Sequence, residues 1–309
     1  MSRWRDEDRE VPGVGAGGGG EPGAHPRPVP DARADRDHAD LRSAHEPYVE
    51  HLDLPAGERR EPVYTGRETT ALNREDVRVL ATVGTFRAVP VADLGPAGSR
   101  DSGSLRHLRD AGLLEIVTVT RARGESTDAA SVAVLTSAGK ALLDASARGG
   151  KGARQHYHAG LVKPQELSHD ASLYRVYRAA ARDLEAEGAR VTRVVLDYEL
   201  KAAYQRFLNR PDRAEGATLE QERATFATTQ GLTVVDGHLE LPDLRLEVEW
   251  SDGRRGVRDL ELVTEHYSRS QLAGKRQAGF ALYRASRPGG SVARGSTPYD
   301  PHQITRVLA

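Results

Sequence analysis

The stretch LPDLRLEVEWSDGRRGVRDLELVTE, residues 241–265, alternates apolar and charged residues on both sides of a Ser-Asp-Gly turn. Alternation with a period of two is typical of strands that bury one face, so the stretch predicts a β-hairpin. Pro242 and Asp243 stand at its head, and Glu261 stands near its tail. Two acids on neighbouring strands can share a divalent cation. The hairpin is therefore either part of a metal site or a structural hairpin with charged edges.

The segments around the hairpin predict a mixed α/β domain over residues 166–309. Apolar residues at helical spacing precede it (Leu167, Leu173, Tyr174, Tyr177 and Ala180), and strand-like and helical runs follow over residues 190–210. A helix over residues 268–286 comes after the hairpin, with Leu272, Phe280 and Tyr283 facing inward, and a short helix is expected near the C-terminus. This layout is typical of restriction-endonuclease-like folds, in which a helix is followed by strands that carry Pro-Asp and a second acid, and then by a basic helix.

In active members of that fold an Asp is followed by Glu-x-Lys on the next strand, and the carboxylates bind Mg²⁺. Asp243 fits the first acid and Glu261 the second, so these two are the candidate metal ligands. Val263 stands where the lysine is expected, but Lys275 on the following helix could replace it. The candidate catalytic set is therefore Asp243, Glu261 and Lys275, with Glu166 or Asp170 as a third acid. Because the lysine position is lost, we expect a nuclease-like domain whose chemistry has lapsed and which needs no cofactor. The alternatives are an active domain with Mg²⁺ as its cofactor and an unrelated α/β domain.

The preceding residues, 71–150, predict a winged helix-turn-helix, so the chain as a whole is expected to be of the α+β class. Asn73 is a candidate helix N-cap, two further helical segments follow, and two β-rich runs surround a polar tip before a final helix. The third helix would enter the major groove of double-stranded DNA and the tip would reach phosphates. The candidate DNA-binding residues are Arg100, Ser104, Arg106, His107, Arg109, Arg121 and Arg123.

Composition and charge set the remaining expectations. Residues 1–70 are rich in Gly and Pro, carry 10 Arg against 15 Asp and Glu, and predict a disordered tail. Residues 71–165 carry 13 Lys and Arg against 9 Asp and Glu, and residues 151–165 read as a basic linker. The absence of Cys excludes disulfides and thiolate metal sites, and no apolar run is long enough for a membrane span. A cytoplasmic protein with no membrane partner is expected.

Three segments together resemble the replication-relaxation family of actinobacterial and mobile-element proteins. They are ELSHDASLYRVYRA, the Pro-Asp hairpin and SQLAGKRQAGFALY. The resemblance covers roughly residues 70–285 and places His169, Asp170, Pro242, Asp243, Glu261, Lys275 and Tyr283 on the family pattern. The chain departs from it at Val263, where the family often has a second acid. The resemblance implies a DNA-associated role in the replication, relaxation or transfer of a plasmid or mobile element, and it does not establish catalysis.

Three function classes remain open from the sequence. DNA binding without catalysis is preferred, a Mg²⁺-dependent endonuclease is the second, and a winged-helix protein-interaction module or transcriptional regulator is the third. A metal cluster of His156, His158 and His169 is disfavoured, because the first two lie in a Gly- and Arg-rich segment. The sequence leaves a homodimer, and replication or transfer proteins, open as partners.

Overall fold

The computed structural model describes residues 46–64, 69–95, 103–123, 126–147, 154–160, 164–264, 267–285 and 304–306. These residues belong to one compact unit, residues 44–309. The helices are α1 (Pro47–Glu50), α2 (Arg74–Phe86), α3 (Val91–Leu94), α4 (Gly103–Asp110), α5 (Ser137–Ser146), α6 (Pro164–Ala186), α7 (Asp197–Leu208), α8 (Leu219–Gln230) and α9 (Arg269–Gln277). The strands are β1 (Glu61–Tyr64), β2 (Thr69–Leu72), β3 (Ala88–Pro90), β4 (Leu114–Arg123), β5 (Ser126–Leu135), β6 (Ala189–Leu196), β7 (Val234–Val235), β8 (His238–Leu239), β9 (Leu244–Trp250), β10 (Arg255–Val263), β11 (Ala281–Ala285) and β12 (Ile304–Arg306). The predicted α+β class is confirmed.

Part of the predicted tail is packed into the core. Tyr48 on α1 is fully buried, and its ring lies 5.8 Å from that of Phe86 and 5.9 Å from that of Tyr177. The tail boundary at residue 70 is therefore placed too late, since residues 46–64 already contribute core side chains and the β1 strand. Residues 1–45 lie outside the described part of the chain.

Residues 73–147 form helices around a three-stranded antiparallel sheet in the order β3-β5-β4. The predicted N-cap of α2 is confirmed, because Asn73 Oδ1 accepts a hydrogen bond from Asp76 N at 2.9 Å. The Asp76 carboxylate in turn accepts from Asn73 N at 3.1 Å, which completes a capping box. The long β4–β5 hairpin supplies two of the three strands of this sheet, and β4 begins at Leu114, shortly after α4 ends.

The segment predicted as a basic linker is ordered where it is described, at residues 154–160. Gln155 is buried, and its side chain donates to Val194 O at 2.9 Å and accepts from Val194 N at 3.1 Å. The Tyr157 hydroxyl donates to Tyr48 O at 2.6 Å. One hydrophobic core accordingly runs from Tyr48 through α2 and α6 to Tyr283 on β11.

The second sheet is mixed and has the order β12-β11-β10-β9-β6. Strands β6, β9 and β10 form an antiparallel meander, and β11 pairs parallel to β10. Leu244, Leu246, Leu260 and Leu262 point from the meander into the core that also contains residues of α6. The predicted hairpin of residues 241–265 is confirmed as β9 and β10.

Two helix predictions near the C-terminus are wrong. The helix predicted over residues 268–286 ends at Gln277, and Gly279 with a φ of 82° separates it from β11. Tyr283 is thus a strand residue, held by parallel pairing to Leu262. The predicted terminal helix is strand β12 over residues 304–306, which pairs with β11. In the described part of the chain, no helix has both the length and the apolar character needed to cross a membrane.

Candidate functional site

Asp243 and Glu261 meet at one end of the β9–β10 hairpin. Leu244 pairs with Leu260, so continuing the antiparallel register sets Asp243 opposite Glu261. Asp243 N donates to Glu261 Oε2 at 3.3 Å, and Leu262 N donates to Asp243 Oδ2 at 2.8 Å. Glu261 is only 1% exposed. The two predicted metal ligands are therefore brought together, with their carboxylates fixed by backbone donors.

Lys275 reaches the same pair from α9. Its Nζ lies 3.1 Å from Glu261 Oε1 and 3.2 Å from Glu240 Oε2, and it donates to Leu241 O at 2.9 Å. The helix is positioned by Ser268, whose hydroxyl caps its first turn in a capping box. All three residues of the predicted catalytic set thus lie in one cluster.

Val263 fills the strand position where the nuclease fold has its lysine. Its side chain is buried in a small apolar cluster with Phe280 and Leu282. The ammonium group of Lys275 arrives instead from the helix that precedes β11, as the sequence suggested.

His169 on α6 closes the cluster on the Asp243 side. Its Nε2 lies 3.3 Å from Asp243 Oδ2, and its Nδ1 lies 3.6 Å from Asp170 Oδ1. Burial lowers the pKa of His169, but hydrogen bonding to Asp170 and Asp243 and their charges outweigh that effect and raise the pKa to about 10. His169 is therefore a cation at neutral pH.

Asp170 does not join the acidic pair as a third ligand. Its Oδ2 lies 3.3 Å from Nη1 of Arg87, a residue at the C-terminal end of α2. Glu166 is a residue of α6, but its side chain lies outside the described part of the structure. The third-acid expectation is thus not met by Asp170.

The ionisation of Glu261 is opposed by its surroundings. Burial, and then the charge of Asp243, raise the pKa of Glu261 to about 7, while Lys275 and the Tyr267 hydroxyl act in the opposite direction. That hydroxyl donates to Glu261 Oε1 at 2.5 Å. Burial, and then the hydrogen bond and charge of Glu261, raise the pKa of Tyr267 well above its ordinary range. Tyr267 therefore stays protonated and remains a donor to Glu261.

The side chains in this cluster do not fit a bound divalent cation as they are arranged. Oxygens that would ligate Mg²⁺ already face the cations of His169 and Lys275, or accept from Tyr267 and backbone N–H groups. Among the described residues, no group of three or more His, Cys, Asp or Glu side chains is placed to hold a metal ion. Mg²⁺ binds through one or two carboxylates and waters, so here it would have to displace His169 from Asp243 and the Tyr267 hydroxyl from Glu261, and no catalytic step through a metal is derived from this geometry.

The predicted DNA-binding residues divide into three groups. Arg106 and Arg109 lie exposed on α4, where Arg109 pairs with Asp110 at 2.8 Å. Ser104 is buried and hydrogen-bonds to Asp76, and His107 Nε2 lies 2.6 Å from Ala71 O on β2. Ser104 is thus buried and His107 is half-buried, and each side chain is engaged by a contact within the protein. The remaining residues are Arg121 and Arg123, which are positions on β4, and Arg100, which lies outside the described residues.

Three members of the site were not found by sequence reasoning: Glu240, Tyr267 and Arg87. Glu240 and Tyr267 lie outside the strands that flank the acidic pair, so strand alternation carries no signal for them. Arg87 is more than 80 residues away in the chain from its partner Asp170. Only the tertiary contacts bring these residues to the site.

Comparison with models of known protein families, with curated proteins and with solved structures finds no match to this chain. The functional argument therefore depends on the geometry of the chain itself.

Proposed function

We propose that this chain is a DNA-binding protein of a plasmid or mobile element that acts in replication, relaxation or transfer without catalysis. The observation that carries the proposal is the order of elements in residues 74–135. Helix α2, strand β3, helices α3 and α4 and the β4–β5 hairpin follow one another, and the strands form the sheet β3-β5-β4. A helical pair followed by a two-stranded wing is the connectivity of winged helix-turn-helix domains, which supports double-stranded DNA as the partner.

Helix α4 is the proposed recognition helix. Leu105 and Leu108 are buried on one side of it, while Arg106 and Arg109 are exposed. An exposed helix face that carries guanidinium groups suits the major groove, where arginine binds base edges and phosphates. The β4–β5 hairpin begins four residues after α4 ends, so the proposed wing lies next to the proposed recognition helix.

Titration of a labelled duplex at 50 and 200 mM salt tests this proposal. The Arg106→Ala, Arg109→Ala double variant is expected to bind more weakly and to reduce the slope of log affinity against log salt by about 1 for each phosphate that the protein no longer neutralises. Arg182→Ala, which removes an exposed arginine from α6, is the matched control. Wild-type protein that does not bind the duplex, or binds it without salt dependence, would overturn the proposal.

The C-terminal half supports the same context through its layout. Helix α6, the β6-β9-β10 meander, helix α9 and the parallel strand β11 give the order expected for a restriction-endonuclease-like fold. The competing function, a Mg²⁺-dependent endonuclease, is favoured by one observation, the meeting of Asp243, Glu261 and Lys275. Val263 stands where the fold has its lysine and His169 pairs with Asp243, and these two features are why we prefer a non-catalytic role.

Incubation with supercoiled plasmid and Mg²⁺ or Mn²⁺ separates these two functions. We expect no cleavage by the wild-type protein. Cleavage that Asp243→Ala abolishes would instead establish the nuclease. A protein partner that remains bound after nuclease treatment, together with no affinity for DNA, would favour the interaction module.

The resemblance to the replication-relaxation family supports the mobile-element context. Of its seven pattern positions, five form one connected cluster: His169, Asp170, Asp243, Glu261 and Lys275.

A further inference from the structure

Tyr198 is an aromatic side chain that the proposed function leaves unexplained. It is the second residue of α7, and it is 54% exposed. The guanidinium carbon of Arg87 lies 5.3 Å from the centroid of its ring. The His158 ring meets it edge-on, with centroids 5.6 Å apart and an interplanar angle of 89°. Two neighbours thus hold the ring in place while much of its surface stays open to solvent.

Arg87 is itself held in an uncommon backbone conformation. Its φ is 64°, in the region that favours glycine, although it carries a long side chain. Non-glycine residues persist in such conformations when their surroundings fix them, and they cluster at functional sites. Here the side chain bridges Asp170 and the ring of Tyr198, so the conformation serves to place a cation between these two groups.

Tyr198 is linked to the acidic pair through two sets of contacts made by neighbouring residues. Asp197, the preceding residue, donates its backbone N–H to Asp243 O at 3.1 Å. On the other side, Arg87 contacts Asp170, and the neighbouring His169 contacts Asp243. Tyr198 is therefore adjacent to the end of the hairpin at which Asp243 and Glu261 meet.

Two basic side chains lie near the ring. Arg87 contacts the ring itself, and Lys201 is 62% exposed on the same helix. The two acids that flank Tyr198 in the sequence are both paired, Asp197 with Lys201 and Glu199 with Arg193 at 3.0 Å. An exposed aromatic face bordered by cations is the combination that binds single-stranded nucleic acid, since a base stacks on the ring and phosphates approach the cations.

We infer that Tyr198, together with Arg87 and Lys201, binds an unpaired nucleotide of a DNA strand, whose base stacks on the tyrosine ring. This inference rests on the proposed DNA-binding function and assigns a second contact within it, distinct from α4. A paired base does not expose its face, so the contact selects single-stranded or frayed DNA over an intact duplex.

Fluorescence anisotropy with a labelled single-stranded oligonucleotide and with the matching duplex tests the inference. Tyr198→Ala is expected to weaken binding of the single strand by about 5- to 150-fold, the range that corresponds to removing one base–aromatic stack. Tyr198→Phe keeps the ring and should bind like the wild type. Tyr64→Ala is the matched control, because Tyr64 is a 72% exposed tyrosine on a different element, β1. None of these substitutions should change the affinity for the duplex by more than about twofold, a difference well under 1 kcal/mol.

An oligonucleotide carrying 2-aminopurine supplies a readout of stacking itself. Its fluorescence should fall on binding to the wild type and to Tyr198→Phe, and fall less on binding to Tyr198→Ala at saturating protein. Equal single-strand affinity of Tyr198→Ala and wild type would overturn the inference, as would a Phe variant as weak as the Ala variant. Duplex binding without single-strand binding would overturn this inference and leave the proposed function standing, whereas a protein that binds neither DNA overturns both.

Discussion

Replacing Glu261 by Gln removes the ionisable group at the centre of the acidic cluster while keeping the shape of its side chain. Glu261 is buried beside Asp243, and both effects raise its pKa from the ordinary value of 4.5 to about 7. The glutamine resembles the protonated form, which the folded protein favours. We therefore expect the substitution to change the pH dependence of stability more than the stability at any single pH.

The sign of the effect follows from the folded pKa being above the unfolded one. Stability contributed by Glu261 is fully present below pH 4.5 and is lost as the pH rises through 7. A pKa that rises from 4.5 to about 7 corresponds to about 3 kcal/mol, because each pH unit is worth about 1.4 kcal/mol. Glu261→Gln should therefore gain up to about 3 kcal/mol relative to wild type between pH 4.5 and pH 8.

Urea unfolding of wild type and variant at several pH values measures this difference. Subtracting the two free energies of unfolding at each pH cancels the groups that titrate alike in both proteins. Glu220→Gln, at an exposed position on α8, controls for the loss of one carboxylate. A difference between Glu261→Gln and wild type that stays constant within about 0.5 kcal/mol from pH 5 to pH 8 would refute the reasoning.

Three further substitutions can be tested by urea unfolding, two in the acidic cluster and one on α5. Lys275→Met leaves Glu261 buried without its ammonium partner, so it should cost about 3 kcal/mol at pH 8 and less at pH 5, where the carboxyl is protonated. His169→Gln should cost about 3 kcal/mol near pH 6, and this cost should disappear as the pH rises through 10, because the pKa of His169 is raised from 6.5 to about 10 by Asp170 and Asp243 against the effect of burial. A cost that is the same at pH 6 and pH 10 would contradict that ion pair. Gly139→Ala should destabilise by about 2 kcal/mol or more despite alanine's higher helix propensity, since the new Cβ would lie 2.3 Å from a backbone carbonyl oxygen.

The β9–β10 hairpin could be predicted because its information is local. Leu244, Leu246, Leu260 and Leu262 alternate with polar residues, and Gly253 supplies the positive φ of 83° that the turn uses. Strand alternation and antiparallel pairing are then enough to set the two acids opposite each other. The prediction of a metal site came from the positions of Asp243 and Glu261 on this hairpin alone.

The elements that were missed depend on distant contacts. Helix α1 has four residues, too few to be stable alone, and forms where Tyr48 packs on Phe86 and Tyr177. Strand β11 was predicted as helix, because Phe280 and Tyr283 keep helical spacing with Leu272. Its pairing with β10 overrides that pattern, and Gly279 is the local signal that could have marked the break.

The pairing of the cations with the two acids could not be predicted from residue spacing either, because it also depends on contacts between residues distant in the chain. His169 and Lys275 were both singled out in the sequence, but only the fold shows that their charges are directed at Asp243 and Glu261. The sequence was enough to identify His169, Asp243, Glu261 and Lys275 as candidates. It was not enough to predict that the two cations pair with the two acids.

The two proposed DNA contacts lie on parts of the chain that share one core. Phe86, at the end of α2, packs against Tyr174 and Tyr177 of α6 with ring centroids 5.2 Å apart in both pairs. The next residue, Arg87, is the one that contacts Tyr198. Because close-packed cores resist deformation, α4 and Tyr198 should keep a fixed separation. A single DNA molecule that fills both contacts would then have to change from double- to single-stranded between α4 and Tyr198. A duplex that opens into single strands has that form, whereas a continuous duplex would satisfy only the first contact.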